Sequence, residues 1–320
     1  MGSAAKVPSF RGGPLDRSIF AVLVDVANFF SVAQPTTMNP TATDKPKTDF
    51  AMIPDDADLA SIDRDVRFFP TDNDDPATLS KTQIETWNHD GYLGPLEVLP
   101  RDQADDLKTY FDEVLRKTVD AGGDSYSISS AHLKLGRIYD LMSHPKIVGY
   151  VTDLLGPNVV GWGAHFFCKM PGDGKRVDWH QDCIFWPLTP TKSVTVWLGI
   201  DDATVENGCM EVYLGSHQDG MIGFEKSDAA DGNVLNQTIK NPEQYGTWQQ
   251  TPIPAGQISI HSDLLIHGSA PNTSPNRRCG LTLRYCPADV VAHLGWNAKG
   301  IVVSGTAGDH WPGAVRPTTD

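Results

Sequence analysis

Apolar and polar positions divide this 320-residue chain into unlike stretches. Residues 34–75 are rich in Pro, Thr and Asp and show little periodicity, so residues 1–75 read as a poorly ordered N-terminal arm, with Met38 and Met52 as alternative starts. From about residue 80 apolar residues recur at helical spacing. Ser80 and Gln83 have the form of a capping box, and Ile84 and Trp87 begin a stripe that stops at Gly91. Leu107, Phe111, Leu115 and Val119, four apart, predict a second helix from about residue 102 to the stop at Gly122 and Gly123. Ile147, Val151 and Leu154 predict a third over Pro145 to Leu155, with Gly156 as its C-cap.

After Gly156 the period changes. Residues 159–169, 193–201, 209–214, 257–261 and 279–286 are short apolar or alternating runs, separated by clusters of Gly, Pro, Asn and Asp. Helices followed by many short strands predict a mainly β protein with flanking α-helices around a jelly-roll core, a cupin-like double-stranded β-helix. The expected layout is one domain over residues 76–320, with a helical buttress at about 80–156, the jelly-roll core at about 157–290 and a C-terminal segment at 291–320. The polar stretch 219–250 is an insertion, either a lid over the barrel mouth or a plain surface excursion.

Composition narrows the function classes. Hydrophobic residues make up 40 % of the chain, enough for a real core. The net charge of −14, from 26 basic and 40 acidic residues, argues against nucleic acid or an anionic membrane as partner, though not against a local positive pocket. Five cysteines at irregular spacing, without a C-x-x-C, suggest neither a disulfide framework nor a zinc knuckle, and fit a reducing cytoplasm. The apolar run at 19–30 is broken by Asp25, is too short to span a bilayer, and lacks the small-residue cleavage site of a secretory leader.

The candidate chemistry centres on Trp179-His180-Gln181-Asp182. In a strand, residues i and i+2 share a face, so His180 and Asp182 aim at one point while Gln181 faces away. A second imidazole from a distant strand would complete one face of an octahedron and leave three positions open. His267, after the apolar run Leu264-Leu265-Ile266 and before Gly268-Ser269, is the best candidate, with His261 as its rival if Asp263 breaks the strand. An H-x-D alone is a weak signal. Eleven residues after His267, however, Arg278 opens a run whose alternation puts Arg278, Gly280, Thr282 and Arg284 on one face. Two arginines among small residues point into a cavity. A buried guanidinium needs an acid partner, and the distal carboxylate of 2-oxoglutarate suits its fork; the bland alternative is an exposed turn residue like Arg277. By the same alternation Trp197 shares the polar face with Thr195, and His165 lies with Phe167 and Lys169.

Residues 80 to about 305 resemble the phytanoyl-CoA dioxygenase family of Fe(II)/2-oxoglutarate-dependent oxygenases. The resemblance rests on Trp179-His180-Gln181-Asp182, on Val196-Trp197-Leu198 through Glu206-Asn207-Gly208-Cys209-Met210, on Gly215-Ser216-His217, and on His267-Gly268-Ser269 with Asn272, Ser274 and Arg278. It implies that His180, Asp182 and His267 ligate Fe(II), that Arg278 and Ser269 hold the distal carboxylate of 2-oxoglutarate, and that Trp197 lines that pocket. His165 falls where the family has a co-substrate contact, a hydrogen-bonded core histidine being the alternative. His217 reads as a structural turn residue. Lys134 is a further candidate for the cavity, and Arg284 for pairing with either a substrate acid group or a core carboxylate. The implied reaction uses O2 and 2-oxoglutarate to oxidise a small-molecule metabolite, releasing succinate and CO2. Relatives that halogenate lack the carboxylate, so Asp182 favours hydroxylation or another oxidation such as desaturation. Net charge −14 and the absence of a basic run speak against a CoA thioester as substrate. The alternatives are a cupin-like lyase or isomerase and a non-catalytic jelly-roll binding module.

Overall fold

The computed structural model describes residues 54–126, 128–227 and 232–320; the expected disorder of residues 1–53 lies outside them. Helices come first: α1 (Asp56–Ala60), α2 (Lys81–Asp90), α3 (Arg101–Asp120), α4 (Gly136–Met142) and α5 (Pro145–Leu155). Both arms of the capping box on α2 form, Ser80 N to Gln83 Oε1 at 2.8 Å and Gln83 N to Ser80 Oγ at 3.2 Å, and Gly91 closes the helix at φ 70°. On α3 the four-residue stripe drifts off the core. Eleven residues from Leu107 returns to within about 20° of its direction, whereas twelve lies about 120° away. Thr118 is accordingly buried and Val119 is 53 % exposed.

The expected arm does not extend to residue 75. Arg64 donates to the carbonyls of Cys183 and Trp186, both at 2.9 Å, and Thr71 and Asn73 donate to the carbonyls of Leu154 and Asp153. The buried carboxylate of Asp153 then accepts the backbone N–H groups of Ala77, Thr78 and Leu79 at 3.0, 2.6 and 2.7 Å. This stretch is held by polar bonds to other elements, which leave no hydrophobic period to read.

The strands are β1 (Tyr92–Glu97), β2 (Val159–Lys169), β3 (Val177–His180), β4 (Leu188–Thr189), β5 (Val194–Gly199), β6 (Met210–Leu214) and β7 (Glu225–Lys226). They continue with β8 (Gln237–Thr238), β9 (Thr247–Thr251), β10 (Gln257–Ser262), β11 (His267–Ser269), β12 (Arg278–Pro287), β13 (Val291–Ala292) and β14 (Ile301–Ser304). Two antiparallel sheets form a jelly roll, a larger one in the order β1-β10-β5-β12-β2-β14 and a smaller one in the order β3-β11-β6-β9. The outer face of the larger sheet carries Val194, Val196, Leu198, Phe166, Leu281, Leu283 and Tyr285, which pack with Phe111, Ile147 and Val151 of the helices. That packing fixes the parity of β2, β5 and β12 and turns their alternate residues toward the smaller sheet. The insertion supplies β7, β8 and the edge strand β9, and its Gly232, Asn233, Val234 and Leu235 reach the cavity between the sheets. Among the described residues no helix is long and apolar enough to cross a membrane.

Candidate active site

A cavity of about 700 Å³ lies between the sheets, a volume suited to small ligands. His180 is the last residue of β3 and pairs in register with His267, the first of β11. The strand therefore ends before the H-x-D is complete, a correction to the expectation of one continuous strand. Gln181 nevertheless stays extended (φ −112°, ψ 136°), which keeps His180 and Asp182 on one side. Its own side chain faces away and is fully used, with Nε2 donating to Leu264 O (2.6 Å) and Gly220 O (2.8 Å) and Oε1 accepting Ile222 N–H (2.7 Å).

His180, Asp182 and His267 bring one ligand atom each to within 4.8 Å of one another. Asp182 Oδ1 lies 3.8 Å from His180 Nε2 and 4.0 Å from His267 Nε2. Each histidine engages a backbone carbonyl through Nδ1, His180 with Asp178 at 2.8 Å and His267 with Leu265 at 3.0 Å. These bonds orient both rings and aim Nε2 at the shared point. Thr195 Oγ1 donates to Asp182 Oδ2 at 2.8 Å and fixes the carboxylate. Burial keeps both imidazoles neutral by lowering their pKa values. Burial opposes ionisation of Asp182, but His261 and the positive charge of Arg284 outweigh it and hold the carboxyl below its usual range.

His261 joins the cluster without joining the triad. β10 and β11 belong to different sheets, and residues 263–266 turn between them, so His261 and His267 face each other across the cavity with ring centroids 4.5 Å apart. His261 Nε2 stands 3.7 Å from Asp182 Oδ2, on the carboxylate's far oxygen. His217, by contrast, lies away from the cavity, wedged against Phe68 (4.3 Å, edge to face) and near the carbonyl of Asn88 (3.3 Å).

Arg278 is buried at the head of β12, which rules out the exposed-turn reading. Its Nε donates to Gly208 O at 2.9 Å and its Nη2 to Ser269 Oγ at 3.1 Å, and it forms no ion pair with a carboxylate of the described residues. Arg277 is the structural neighbour, bound to Asp201 and Asp112. The Trp197 ring lies 5.8 Å from the Arg278 guanidinium carbon, and Trp197, His165 and Thr282 line the same wall. Thr282 Oγ1 donates to the backbone carbonyl of His165, whose ring packs on Phe167 at 4.4 Å. Lys169 Nζ, also buried, donates to the carbonyls of Ser269 and Ala270 and so braces the loop carrying Ser269. Lys134 is not among the residues lining the cavity.

The model of the phytanoyl-CoA dioxygenase family matches residues 87–280, which contain all seven of these candidate residues. The chain belongs to the phytanoyl-CoA dioxygenase family. It is 28 % identical over 191 residues, 56 % of this chain and 64 % of the relative, to a protein of Stutzerimonas stutzeri described as a probable alpha-ketoglutarate-dependent hypophosphite dioxygenase. It is 24 % identical over 238 residues, 67 % of this chain and 70 % of the relative, to the peroxisomal phytanoyl-CoA dioxygenase of Rattus norvegicus. Among solved structures it is similar to the apo form of the non-heme monooxygenase ThoJ, with TM-score 0.62 and 25 % identity over 74 % of this chain and 88 % of that one. The chain spans 43 to 64 % of the length of the first curated relatives it matches.

In this family member the far end of the cavity carries residues that the sequence reading passed over. Phe185 ends the 3-10 turn that Asp182 begins, Trp186 follows it in extended backbone, and Trp296 comes from the C-terminal segment. Trp162 enters through a β-bulge, since β12 pairs Arg284 with Gly163 and Tyr285 with Gly161 and passes over the residue between. Strict alternation cannot foresee that turn of parity. Arg284, which sequence alternation did place inward, lies among these rings.

Proposed function

We propose that this chain is an Fe(II)- and 2-oxoglutarate-dependent dioxygenase that oxidises a small-molecule metabolite with release of succinate and CO2. One observation carries the reading: two oriented imidazoles and one carboxylate converge beside a buried arginine that pairs with no carboxylate of the described residues. The donor set fits iron(II), with two neutral Nε2 atoms and one anionic oxygen, a facial arrangement that leaves positions open. His180, Asp182 and His267 would hold the metal. Bound there, iron(II) supplies dioxygen activation coupled to oxidative decarboxylation of 2-oxoglutarate.

The chain's own residues do the rest. The carbonyls of Asp178 and Leu265 set the tautomer of each imidazole, and Thr195 sets the angle of the Asp182 carboxylate. Arg278 and Ser269 bind the distal carboxylate of 2-oxoglutarate, Trp197 closes that wall against water, and His165 borders the same space. The five free, buried cysteines support a reducing, cytoplasmic setting.

A lyase or isomerase of cupin type, or a binding module, has no use for an unpaired Arg278 at the end of a cavity. Anaerobic titration of the iron-loaded protein with 2-oxoglutarate separates the readings. A visible charge-transfer band, followed by succinate release and a one-oxygen mass gain across a metabolite panel, is the expected result. No band and no succinate would leave the non-oxidative readings standing.

A further inference from the structure

Arg284 supplies no atom to the metal triad and stands away from the Arg278 pocket, although its charge helps keep Asp182 ionised. It lies six residues from Arg278 on the same strand, roughly 20 Å along β12, far more than a five-carbon diacid spans. Its register partner is Thr195, the residue bonded to Asp182, so it stands beside the metal carboxylate at the end of the cavity away from Arg278. Among the described residues Arg284 pairs with no carboxylate, and its buried Nε has no hydrogen-bond acceptor. Aromatic rings hold it instead. Its guanidinium carbon is 5.1 Å from the Trp186 ring and 5.9 Å from that of Trp162. Trp162 meets Trp186 edge to face at 4.6 Å and Trp296 at 5.8 Å, which makes a continuous aromatic wall. Gly163 leaves the room this needs, since a Cβ there would come within 3.3 Å of Arg284 Cδ.

Cation–π contact and the more distant charge of Asp182 offset only part of the cost of removing a guanidinium from water, and the unfilled N–H donors call for an anion in the cavity. The side chain's open face is the cavity itself. We infer that Arg284 and the wall of Trp162, Trp186 and Trp296 form a substrate subsite for one carboxylate group carried on a flat or apolar skeleton. The substrate's acid is gripped at Arg284 while its apolar body lies along the indoles, which places neighbouring carbons close to Asp182. This subsite rests on the oxygenase reading for the meaning of its position, and the two are tested separately.

The test titrates the full chain with 3-phenylpropanoate and with its neutral amide, following tryptophan fluorescence. One series is anaerobic with iron(II) and 2-oxoglutarate bound, and a second contains neither. The wild type should favour the acid by about ten- to a hundredfold, as charge-assisted hydrogen bonds do. Arg284→Gln should erase that preference, Arg284→Lys should keep part of it, and Arg278→Leu, compared in the series without iron and 2-oxoglutarate, should keep all of it. Equal affinity for acid and amide in the wild type overturns the inference. So does a preference that survives Arg284→Gln or disappears in Arg278→Leu. If the oxygenase reading alone fails, the acid preference persists in the metal-free series while 2-oxoglutarate gives no charge-transfer band. If the subsite alone fails, the band forms and the preference is missing.

Discussion

The indole of Trp197 occupies the space that a side chain on Gly280 would take, with its Cζ2 only 2.0 Å from where a Cβ would stand. The two lie on neighbouring strands, β5 and β12, and the close approach lets Trp197 lie against β12 beside Arg278. Gly280→Ala must push the ring out of that place. Overpacking of this kind costs about 1–3 kcal/mol. The expected outcome is a lower denaturation midpoint with weaker 2-oxoglutarate binding and unchanged iron content, measured by urea unfolding, calorimetry and metal analysis. Gly174→Ala, where nothing lies within 4 Å, is the matched control and should change none of them.

His180→Ala and His267→Ala should each abolish stoichiometric iron binding and turnover while leaving the circular dichroism spectrum intact. Each removes one of three convergent ligand atoms and little else. His261→Ala should keep its iron, because His261 Nε2 faces the far oxygen of Asp182 rather than the shared point. Asp182→Ala should retain some iron and 2-oxoglutarate but lose oxidation of substrate. Full iron content in either ligand variant, together with iron loss in His261→Ala, would transfer the third ligand to His261.

The parity of β2, β5 and β12 was legible because aliphatic residues on one side meet the helices, leaving Arg278, Thr282 and Trp197 for the other. The H-x-D spacing survived the early end of β3 because Gln181 stays extended. Three kinds of feature were hidden. The segment before Ser80 is held by side-chain bonds to carbonyls and by Asp153, interactions with no period. The edge strand Thr247–Thr251 is largely exposed and polar, so no alternation marks it. Trp162 reaches the cavity only through a bulge in pairing with β12, which a single strand's sequence does not contain.

Stability should fall with acid in a window set by buried neutral histidines. Burial lowers the pKa of His132 to about 4, and that of His217 likewise to about 4. Both folded values lie below the unfolded value near 6.5, so between about pH 4 and 6.5 the unfolded chain binds more protons. Their contribution is fully present above that window and is lost as pH falls through it, by roughly 1–3 kcal/mol each. Urea unfolding from pH 7 to pH 4.5 should show this slope. His132→Gln should flatten it in part. A slope unchanged in that variant would assign the acid sensitivity elsewhere.

Arg278 provides the sharpest test of the co-substrate pocket. Its guanidinium is buried, two of its nitrogens are satisfied by Gly208 O and Ser269 Oγ, and Lys169 braces the loop that carries Ser269. Neutral acceptors leave the positive charge uncompensated, so an incoming carboxylate completes a buried pair. Removing one partner of such a pair costs about 3–5 kcal/mol. At roughly 1.4 kcal/mol per tenfold, Arg278→Leu should weaken 2-oxoglutarate by about two to three orders of magnitude. Iron should still bind, since no ligand is touched. A shorter keto acid without the distal carboxylate should lose little in the variant, because it never uses the contact. Calorimetric titration of iron-loaded wild type and variant with both acids provides the comparison. Arg277 is already committed to Asp201 and Asp112, so Arg277→Leu should lower stability and leave co-substrate affinity close to wild type. Normal 2-oxoglutarate binding by Arg278→Leu, with loss in Arg284→Leu instead, would put the co-substrate at the opposite end of the cavity.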